Sequence, residues 1–465
     1  MSEIQDSLPW IDALAGTISA TGADCPYLAT ASSQWTQRQW QAAEGDATDA
    51  TAANIAEHLR ALTELDEDSI ASCLVSASQE ELLQWALVLC RLQHQAVHGS
   101  SSATDASTAF SSRCLAAVGS DHGDGILGQM ASGRADGRSA QWPLVPGFTH
   151  AALESLAERI DDSIAMVLVS PIDVHDMMKP VTQDQLLGIA AACQRAGACL
   201  VIDHRHIPPQ GGGGFWLHDA IASITADAVI MSAGLMGGTP GGLLTLNASL
   251  AKHVPSLLPS DSELPRHTWA AALVSETLQQ WIDQSWREVQ TDELATELAG
   301  RLANHQCVRD LHLTGRTIGI ELDIPAAQWV NSAADHQLGV ATAGEFAVAM
   351  QPPLVISSAE IATLCDRVDD VFESIAREES DSEGPATAPD EPAAASDVSA
   401  TEPNDRGLED ASAEPLLAIA EEDSSEEGET DTLIDEQPAD QLDESSTPSN
   451  HRDTPATPTD PENQP

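Results

Sequence analysis

The sequence is 465 residues long and carries a formal net charge of −53, from 73 acidic and 20 basic side chains. A chain of this length can hold more than one domain and bury a sizeable core. A chain so poor in Lys and Arg cannot neutralise a phosphate backbone, which excludes nucleic acid as a partner.

The first 50 residues show little hydrophobic periodicity, and we expect them to be weakly ordered. The chain does not open with a basic region followed by an apolar run, and it has no apolar stretch long enough to cross a bilayer. Its eight cysteines form no Cys-x-x-Cys pair, and several lie in apolar runs, which indicates buried thiols in a reducing compartment. These features predict a cytoplasmic protein that does not contact the membrane.

From Ala52 onwards the pattern is that of an α/β protein. The first signal is a helix, since Ile55, Leu59, Leu62 and Leu65 recur at three- and four-residue spacing. The elements predicted after it are helix 153–160, strand 165–169, helix 183–195, strand 199–202, helix 217–223, strand 228–231 and strand 242–246. Continuous apolar strands between helices are typical of a mostly parallel sheet buried on both faces, with the last strand as a hairpin-like partner. The sequence therefore predicts a large α/β domain over residues 51–265.

The rest of the chain divides into a smaller domain and a tail. A helical pattern over 270–302, a strand at 317–322 and a helix at 358–375 predict a small α+β domain spanning 266–377. From residue 378 to the end, 27 acidic side chains are accompanied by only two arginines, among Pro, Ser, Thr and Ala. Such a segment cannot bury enough apolar surface to offset its chain entropy, so 378–465 is predicted to be disordered.

Three segments carry a resemblance to a known family. They are the approach to the sheet at 145–156, the strand region 161–172 that ends in Ser-Pro-Ile, and the closing segment 350–357 with its Pro-Pro pair. Together they resemble class III aminotransferases, which use pyridoxal phosphate (PLP), and in particular the acetylornithine aminotransferase branch. The resemblance covers about residues 52–375. It implies PLP-dependent transferase fold type I and a homodimer with active sites at the interface.

The catalytic lysine of that family has no counterpart here. Residues 227–244 resemble the segment that carries the Schiff-base lysine, and the lysine position falls on Ala233. A methyl group cannot form an imine, so no catalytic residue is assigned. The two lysines of the chain, Lys179 and Lys252, stand elsewhere and are expected to be surface charges.

The resemblance implies six cofactor-binding residues. They are Asp203, His206, Ser78, His122, Gly123 and Thr268. Asp203 matches the aspartate that pairs with the pyridine nitrogen of PLP, and His206 stands where a glutamine contacts the ring hydroxyl. Ser78 opens the helix that matches the phosphate cradle. Thr268 matches a loop that reaches the phosphate bound by the partner subunit.

Other matching positions carry chemistry that the family does not use. Arg205 replaces the apolar residue under the PLP ring, and Asp121 replaces the aromatic residue that stacks on it. Glu80 and Glu81 follow Ser78 and repel a dianionic phosphate, by about 1 kcal/mol per charge pair at 4 Å even in water. Asp124 and Ala349 stand in place of the arginines that bind substrate carboxylates.

These substitutions favour a family member with a degraded active site. It would be a non-catalytic pseudoenzyme or a scaffold that dimerises with itself or with an intact homologue. One alternative is an active acetylornithine-type transaminase that uses PLP and a displaced lysine. Another is a ligand- or metal-binding module built on Asp203, His204 and His206 with His218 nearby, because His204 and His206 share a face of an extended segment. No metal is assigned.

Overall fold

The computed structural model describes residues 11–12, 52–98, 112–118, 120–123, 125–133, 147–174, 176–207, 209, 215–232, 235–236, 241–257, 268–283, 287–315, 317–352 and 358–382. Most of the N-terminal segment, Asp124, Ala233 and the acidic tail beyond residue 382 lie outside these ranges. The expectations for those parts of the chain remain predictions.

The strands and helices are numbered along the described chain. The strands are β1 (Ile11–Asp12), β2 (Ser72–Ser76), β3 (Arg113–Ala117), β4 (Phe148–Ala151), β5 (Ile164–Val169), β6 (Ile172–Asp173), β7 (Lys179–Pro180), β8 (Cys199–His204), β9 (Ala228–Met231), β10 (Gly242–Leu246), β11 (Val308–Thr314), β12 (Thr317–Leu322), β13 (Leu338–Gly339), β14 (Ala341–Thr342) and β15 (Ala347–Met350). The helices are α1 (Ala52–Thr63), α2 (Gln79–His98), α3 (Ile126–Ser132), α4 (Gln183–Ala196), α5 (Leu217–Ile221), α6 (Ala248–Ala251), α7 (Thr268–Asp283), α8 (Arg287–Leu302), α9 (Ala326–Asp335) and α10 (Ser358–Ser382). Short 3-10 helices span Leu153–Arg159 and Val254–Ser256.

The large sheet has seven strands in the order β2-β10-β9-β8-β5-β3-β4. The five strands from β9 to β4 are parallel to one another. β10 runs antiparallel to both β9 and β2, as the hairpin-like pairing of 242–246 predicts. The mostly parallel α/β sheet expected from the sequence is confirmed.

Both faces of the large sheet are covered by helices. All six residues of β5 are buried, and alternate residues belong to different cores: Val167 and Val169 to one, Met166 and Leu168 to the other. Helices α1, α4 and α7 contribute apolar side chains to the first core, and α2 and α6 contribute to the second. This two-sided burial explains why β5 and β9 are apolar at every position rather than at every second one.

Local signals in the sequence fix the ends of α4. Thr182 caps the helix by accepting a hydrogen bond from the backbone N–H of Gln185, and the Gln185 side chain accepts one from the backbone N–H of Thr182. This reciprocal capping box satisfies two backbone donors that would otherwise lack partners. Gly197 ends the helix in the left-handed conformation, at φ 69°. The helix therefore delivers the chain directly into the central strand β8.

The second sheet is antiparallel, in the order β11-β12-β15-β14, and packs against α8, α9 and α10. The predicted helical stretch 270–302 forms two helices, α7 and α8, and the predicted helix 153–160 is a 3-10 helix. Helix α10 runs to Ser382, beyond the predicted end at residue 375, so the prediction of disorder was wrong for residues 378–382. Arg377 pairs with Glu373 one turn earlier at 2.7 Å, a contact that extends the helix into the acidic region.

Six of the described cysteines are buried thiols, as the sequence indicates. They are Cys73, Cys90, Cys114, Cys193, Cys199 and Cys365. Burial raises the pKa of Cys73 and of Cys114 to about 12, so both remain protonated at neutral pH. None of the helices in the described ranges is long and apolar enough to cross a bilayer.

Candidate functional site

The candidate site lies at the carboxyl edge of the large sheet, where β8 and the segment after β3 meet. In the sheet order β5 separates β3 from β8, so the chain after β3 crosses the end of β5 to reach β8. Asp203 lies near the end of β8, and His122 lies beside it. Both side chains are completely buried. Sites gather at this edge of parallel sheets because the strands end there together.

Both oxygens of the Asp203 carboxylate accept hydrogen bonds. Arg205 Nε donates to Oδ1 at 3.0 Å and to Oδ2 at 2.8 Å, and the backbone N–H of Arg205 donates to Oδ1 at 3.0 Å. His122 Nδ1 lies 2.9 Å from Oδ2, and it carries the proton because an ionised carboxylate can only accept. Burial raises the pKa of Asp203, but the Arg205 charge and the His122 hydrogen bond outweigh it and hold the pKa well below its usual range. Asp203 is therefore an ionised member of a buried ion pair.

Arg205 is only 1% exposed, yet its guanidinium is only partly satisfied. Its Nη1 and Nη2 have no hydrogen-bond partner within the described ranges, and neither has Nε2 of His122. Each buried polar atom left unpaired costs about 1–3 kcal/mol. Gly123 passes so close that a Cβ there would lie 2.4 Å from Arg205 Nη1, and its φ is +103°. Both the space and the backbone conformation therefore require glycine at position 123.

The pairing of Arg205 with Asp203 has a signal in the sequence. Arg205 lies in the turn directly after β8, and an aspartate commonly accepts the backbone N–H two residues further on, as Asp203 does here. Read by position alone, Arg205 is only a charged replacement for an apolar residue, because spacing does not say which way a long side chain turns. The structure turns it back onto the carboxylate.

His204 is directed away from this cluster, so the metal-ligand group considered as an alternative does not form. Its Nε2 lies 2.9 Å from Nδ1 of His218, and the His218 ring stacks on Trp216 at 5.2 Å between ring centroids. His204 is thus committed to the face of β8 opposite Asp203, since successive strand residues alternate. Among the described residues, the one group of His, Cys, Asp and Glu side chains close enough to share a metal is Asp310, His312 and Glu321. The idea of a metal site on Asp203, His204 and His206 was wrong.

The histidine pair is neutral at physiological pH. Burial lowers the pKa of His204 to about 3, against a weaker opposite effect of the Asp203 charge. Burial, and then the proximity of His204, also lower the pKa of His218 well below its usual range. A proton added to either ring would be a buried charge, and the one carboxylate within ion-pair distance of either ring among the described residues is Asp219, at 3.6 Å from His218 Nε2.

His206, the next residue after Arg205, lies at the rim of the cluster. Its Nε2 is 3.3 Å from Oδ1 of Asp121, with about a quarter of each side chain exposed. The same Asp121 oxygen accepts a hydrogen bond from the backbone N–H of Gly123 at 2.9 Å. Asp121 therefore holds the 121–123 segment in shape, at a position where the resemblance would place a stacking aromatic ring.

Carboxylates occupy the start of α2, where the resemblance places a phosphate cradle. Glu80 Oε1 accepts a hydrogen bond from the backbone N–H of Leu127 at 2.6 Å, and Glu81 accepts one from the hydroxyl of Ser76. Ser78 is exposed, and its hydroxyl accepts the backbone N–H of Glu81 at 3.4 Å. Donors of the chain itself thus already satisfy the acidic groups at this helix end.

The remaining predicted residues are not brought to Asp203. Thr268 is exposed at the first residue of α7, and its predicted role toward a partner subunit remains a prediction. Lys252 is exposed after α6, and Lys179 is half-buried on the β6–β7 hairpin. Of the six predicted cofactor residues, the structure gathers Asp203, His122 and Gly123 around Arg205, with His206 beside them.

Sequence comparison gives one family match and several relatives. A family model described as aminotransferase class-III matches residues 94–372. The chain is similar to the acetylornithine aminotransferase of Listeria monocytogenes, with 27% identity over 248 residues, which is 52% of this chain and 63% of that protein. It is also similar to the mitochondrial acetylornithine aminotransferase of Alnus glutinosa, with 27% identity over 237 residues, 48% of this chain and 51% of that protein. The chain thus spans less than two thirds of the length of these relatives.

Structural comparison agrees on the fold. An ornithine aminotransferase from Toxoplasma gondii, solved with partial occupancy of PLP at its active site, superposes with a TM-score of 0.63. The alignment covers 81% of this chain and 93% of that one at 16% identity. At this identity the likeness establishes the fold alone, which is that of PLP-dependent aminotransferases.

Replacing Asp203 by Asn should strongly destabilise the protein. The variant leaves the Arg205 charge buried without its counter-ion, and breaking such a pair costs about 3–5 kcal/mol. Asp203→Asn combined with Arg205→Met should recover most of that loss, because no uncompensated charge remains. The measurement is the free energy of unfolding in urea, with Asp323→Asn, on the exposed Arg309–Asp323 pair, as a matched control that should change little. If the single and double variants lose the same stability, the ion pair is not as described.

The free energy of unfolding should fall as pH drops below about 6.5, the ordinary histidine value. Because the folded-state pKa of His204 is lowered, its contribution is complete above the unfolded pKa and is lost as pH falls from there toward about 3. Each buried histidine contributes a slope of up to about 1.4 kcal/mol per pH unit, and Asp219, whose pKa burial raises to about 6, contributes in the opposite direction below that pH. Urea titrations between about pH 7.5 and about 5 would measure it. His204→Gln should reduce the slope, whereas His336→Gln, at the end of α9, is the control and should leave it unchanged.

Proposed function

Because this chain belongs to the class-III aminotransferase family, we propose that it is a non-catalytic member in which an internal ion pair replaces the contact with the cofactor. One observation carries the proposal: both oxygens of the Asp203 carboxylate are already engaged by Arg205 and His122. In the family resemblance, this carboxylate accepts a hydrogen bond from the pyridine nitrogen. Here it neutralises a cation of its own chain.

The residues around Asp203 do not fit PLP. A pyridine ring paired with Asp203 would have to displace the Arg205 guanidinium, which would then be a buried charge without a counter-ion. At the start of α2, the carboxylates of Glu80 and Glu81 would face the dianionic phosphate and repel it, because the charges have the same sign. The pyridine ring would thus meet a carboxylate that is already paired, and the phosphate would meet two negative charges.

The lysines support the same reading. The position that the resemblance assigns to the Schiff-base lysine is Ala233, and the chain has only two lysines. Lys252 is exposed after α6 and Lys179 lies on the β6–β7 hairpin, so neither lies on a strand end of the large sheet. A catalytic amine must be held rigidly against the reacting carbon, which strand ends can do and an exposed helix end cannot.

A role as a dimerising scaffold is consistent with apolar side chains exposed near the site. Val118, directly after β3, is 55% exposed, and Ile126, at the start of α3, is 66% exposed. They flank the segment that carries His122 and Gly123. A contiguous apolar surface marks a contact site for other proteins, and we propose that these two side chains contribute to one. The partner would be a second copy of this chain or an intact class-III homologue.

A PLP titration tests the loss of cofactor chemistry. The expected result is no saturable change in near-ultraviolet and visible absorbance, and no adduct at one specific lysine after borohydride reduction. The reason is that Asp203 is paired internally and neither lysine is positioned beside it. An intact acetylornithine aminotransferase, treated identically, is the positive control. A stoichiometric adduct on Lys179 or Lys252 that is lost in the matching Lys→Arg variant would overturn the proposal.

Sedimentation velocity tests the scaffold role. The wild-type chain should associate at micromolar concentration, alone or mixed with an intact homologue, because burial of Val118 and Ile126 favours contact. Val118→Glu combined with Ile126→Glu should weaken that association, since it places charges in the interface. Leu187→Glu, at an exposed leucine on α4, is the matched control and should leave association unchanged. A chain that stays monomeric in both settings has no such role.

A further inference from the structure

The Asp203 cluster presents polar atoms that the chain does not use. Nη1 and Nη2 of Arg205 and Nε2 of His122 are buried and have no hydrogen-bond partner in the described part of the chain. All three belong to side chains held by the same carboxylate. Proteins rarely leave several buried polar atoms of one cluster unpaired, and such groups call for a ligand or ordered water.

These atoms are held in fixed positions before any ligand arrives. Arg205 is bound through Nε and its backbone N–H, and His122 through Nδ1, each to Asp203 at 2.8–3.0 Å. Gly123 lies against Arg205 Nη1 and leaves no space for a side chain. A guanidinium fixed in this way loses little conformational freedom on binding, which favours affinity.

The charge and shape of the cluster select the class of ligand. We propose that Arg205 and His122, positioned by Asp203, form a binding site for a small monocarboxylate. The two η nitrogens of a guanidinium present parallel N–H groups whose separation matches the two oxygens of a carboxylate.

The neighbouring charges argue against a dianion. Asp203 already balances Arg205, and Glu80 and Glu81 contribute negative charge at the nearby start of α2, where Glu80 contacts the backbone of α3. Because Arg205 is already paired, a phosphate or sulfate dianion would add two uncompensated negative charges and a monocarboxylate only one. The monocarboxylate therefore costs less, and it accepts the hydrogen bonds that Arg205 still offers.

The inference rests on the proposed function, because a cofactor ring paired with Asp203 would displace Arg205 from this position. It differs from the site that the resemblance implies. The arginines that the resemblance assigns to substrate carboxylates are replaced by Asp124 and Ala349, and Arg205 lies instead beside the carboxylate at the end of β8.

Calorimetric titration of the full chain with sodium acetate, at constant ionic strength, tests the proposal directly. The expected result is saturable one-to-one binding, accompanied by a rise in Tm that grows with acetate concentration. Sodium phosphate should bind at least about tenfold more weakly, and sodium chloride should have no saturable effect. Equal responses to acetate, phosphate and chloride would mean that only ionic strength acts, and the proposal would be wrong.

Two variants identify the atoms involved. Arg205→Lys keeps the positive charge but removes the two parallel donors, so acetate affinity should fall at least about tenfold. The double variant Asp203→Asn with Arg205→Met removes both charges and should abolish the acetate-dependent rise in Tm. Arg309→Lys, on an exposed ion pair, is the control and should bind acetate as the wild type does. Undiminished acetate binding in Arg205→Lys would overturn the proposal, even if the double variant failed to fold.

The two proposals fail in different ways. A borohydride-reducible PLP adduct at one lysine would contradict the non-catalytic function and, with it, the carboxylate site. A protein that neither forms that adduct nor binds acetate would contradict the carboxylate site alone.

Discussion

A parallel sheet covered by helices on both faces leaves only its strand ends for polar chemistry. In this chain the central strands β5, β8 and β9 are buried at every residue, so a charged side chain on them must lie at an end or be neutralised inside the protein. Asp203 does both. It lies near the carboxyl end of β8, and its charge is balanced by Arg205, two residues further along. The position of the site and its need for an internal cation thus follow from the same constraint.

The main effect of the Asp203–Arg205 ion pair is to orient the neighbouring side chains rather than to increase the stability of the fold. Moving two charges out of water costs about as much as their attraction returns, so a buried pair is weak evidence for a stability gain. What it does provide is a fixed arrangement: Asp203 orients Arg205 through Nε and His122 through Nδ1, and Gly123 must stay a glycine to accommodate them. On the other face, His204 and His218 form a neutral pair. One face of this strand end therefore carries a buried ion pair, and the other carries a buried pair of neutral side chains.

The fold and the chemistry of a family can separate, because the fold depends on many apolar contacts and the chemistry on a few polar ones. Here the class-III fold is kept, with its two cores around the large sheet and a third beneath the antiparallel sheet. At the edge of the large sheet, positions that the resemblance links to an apolar platform, a stacking ring and a phosphate cradle carry Arg205, Asp121 and Glu80. Each of these makes a specific contact with its own chain. Such contacts indicate that the polar groups at these positions stabilise the chain itself.

The sequence alone determined the architecture of the large sheet, because a strand buried on both faces must be apolar where no internal partner is available. β5, β9 and the first four residues of β8 show that pattern directly. It also determined that Asp203 lies at a strand end and that lysines are scarce. Only the tertiary structure decided the partners of those residues. Arg205 follows Asp203 by two residues, in the turn after β8, but the direction of its long side chain depends on what else fills the space. His122 is 81 residues away along the chain, and the order of β3, β5 and β8 in the sheet brings it to Asp203. His204 is next to Asp203 in the sequence, but it lies on the opposite face of β8 because successive strand residues alternate.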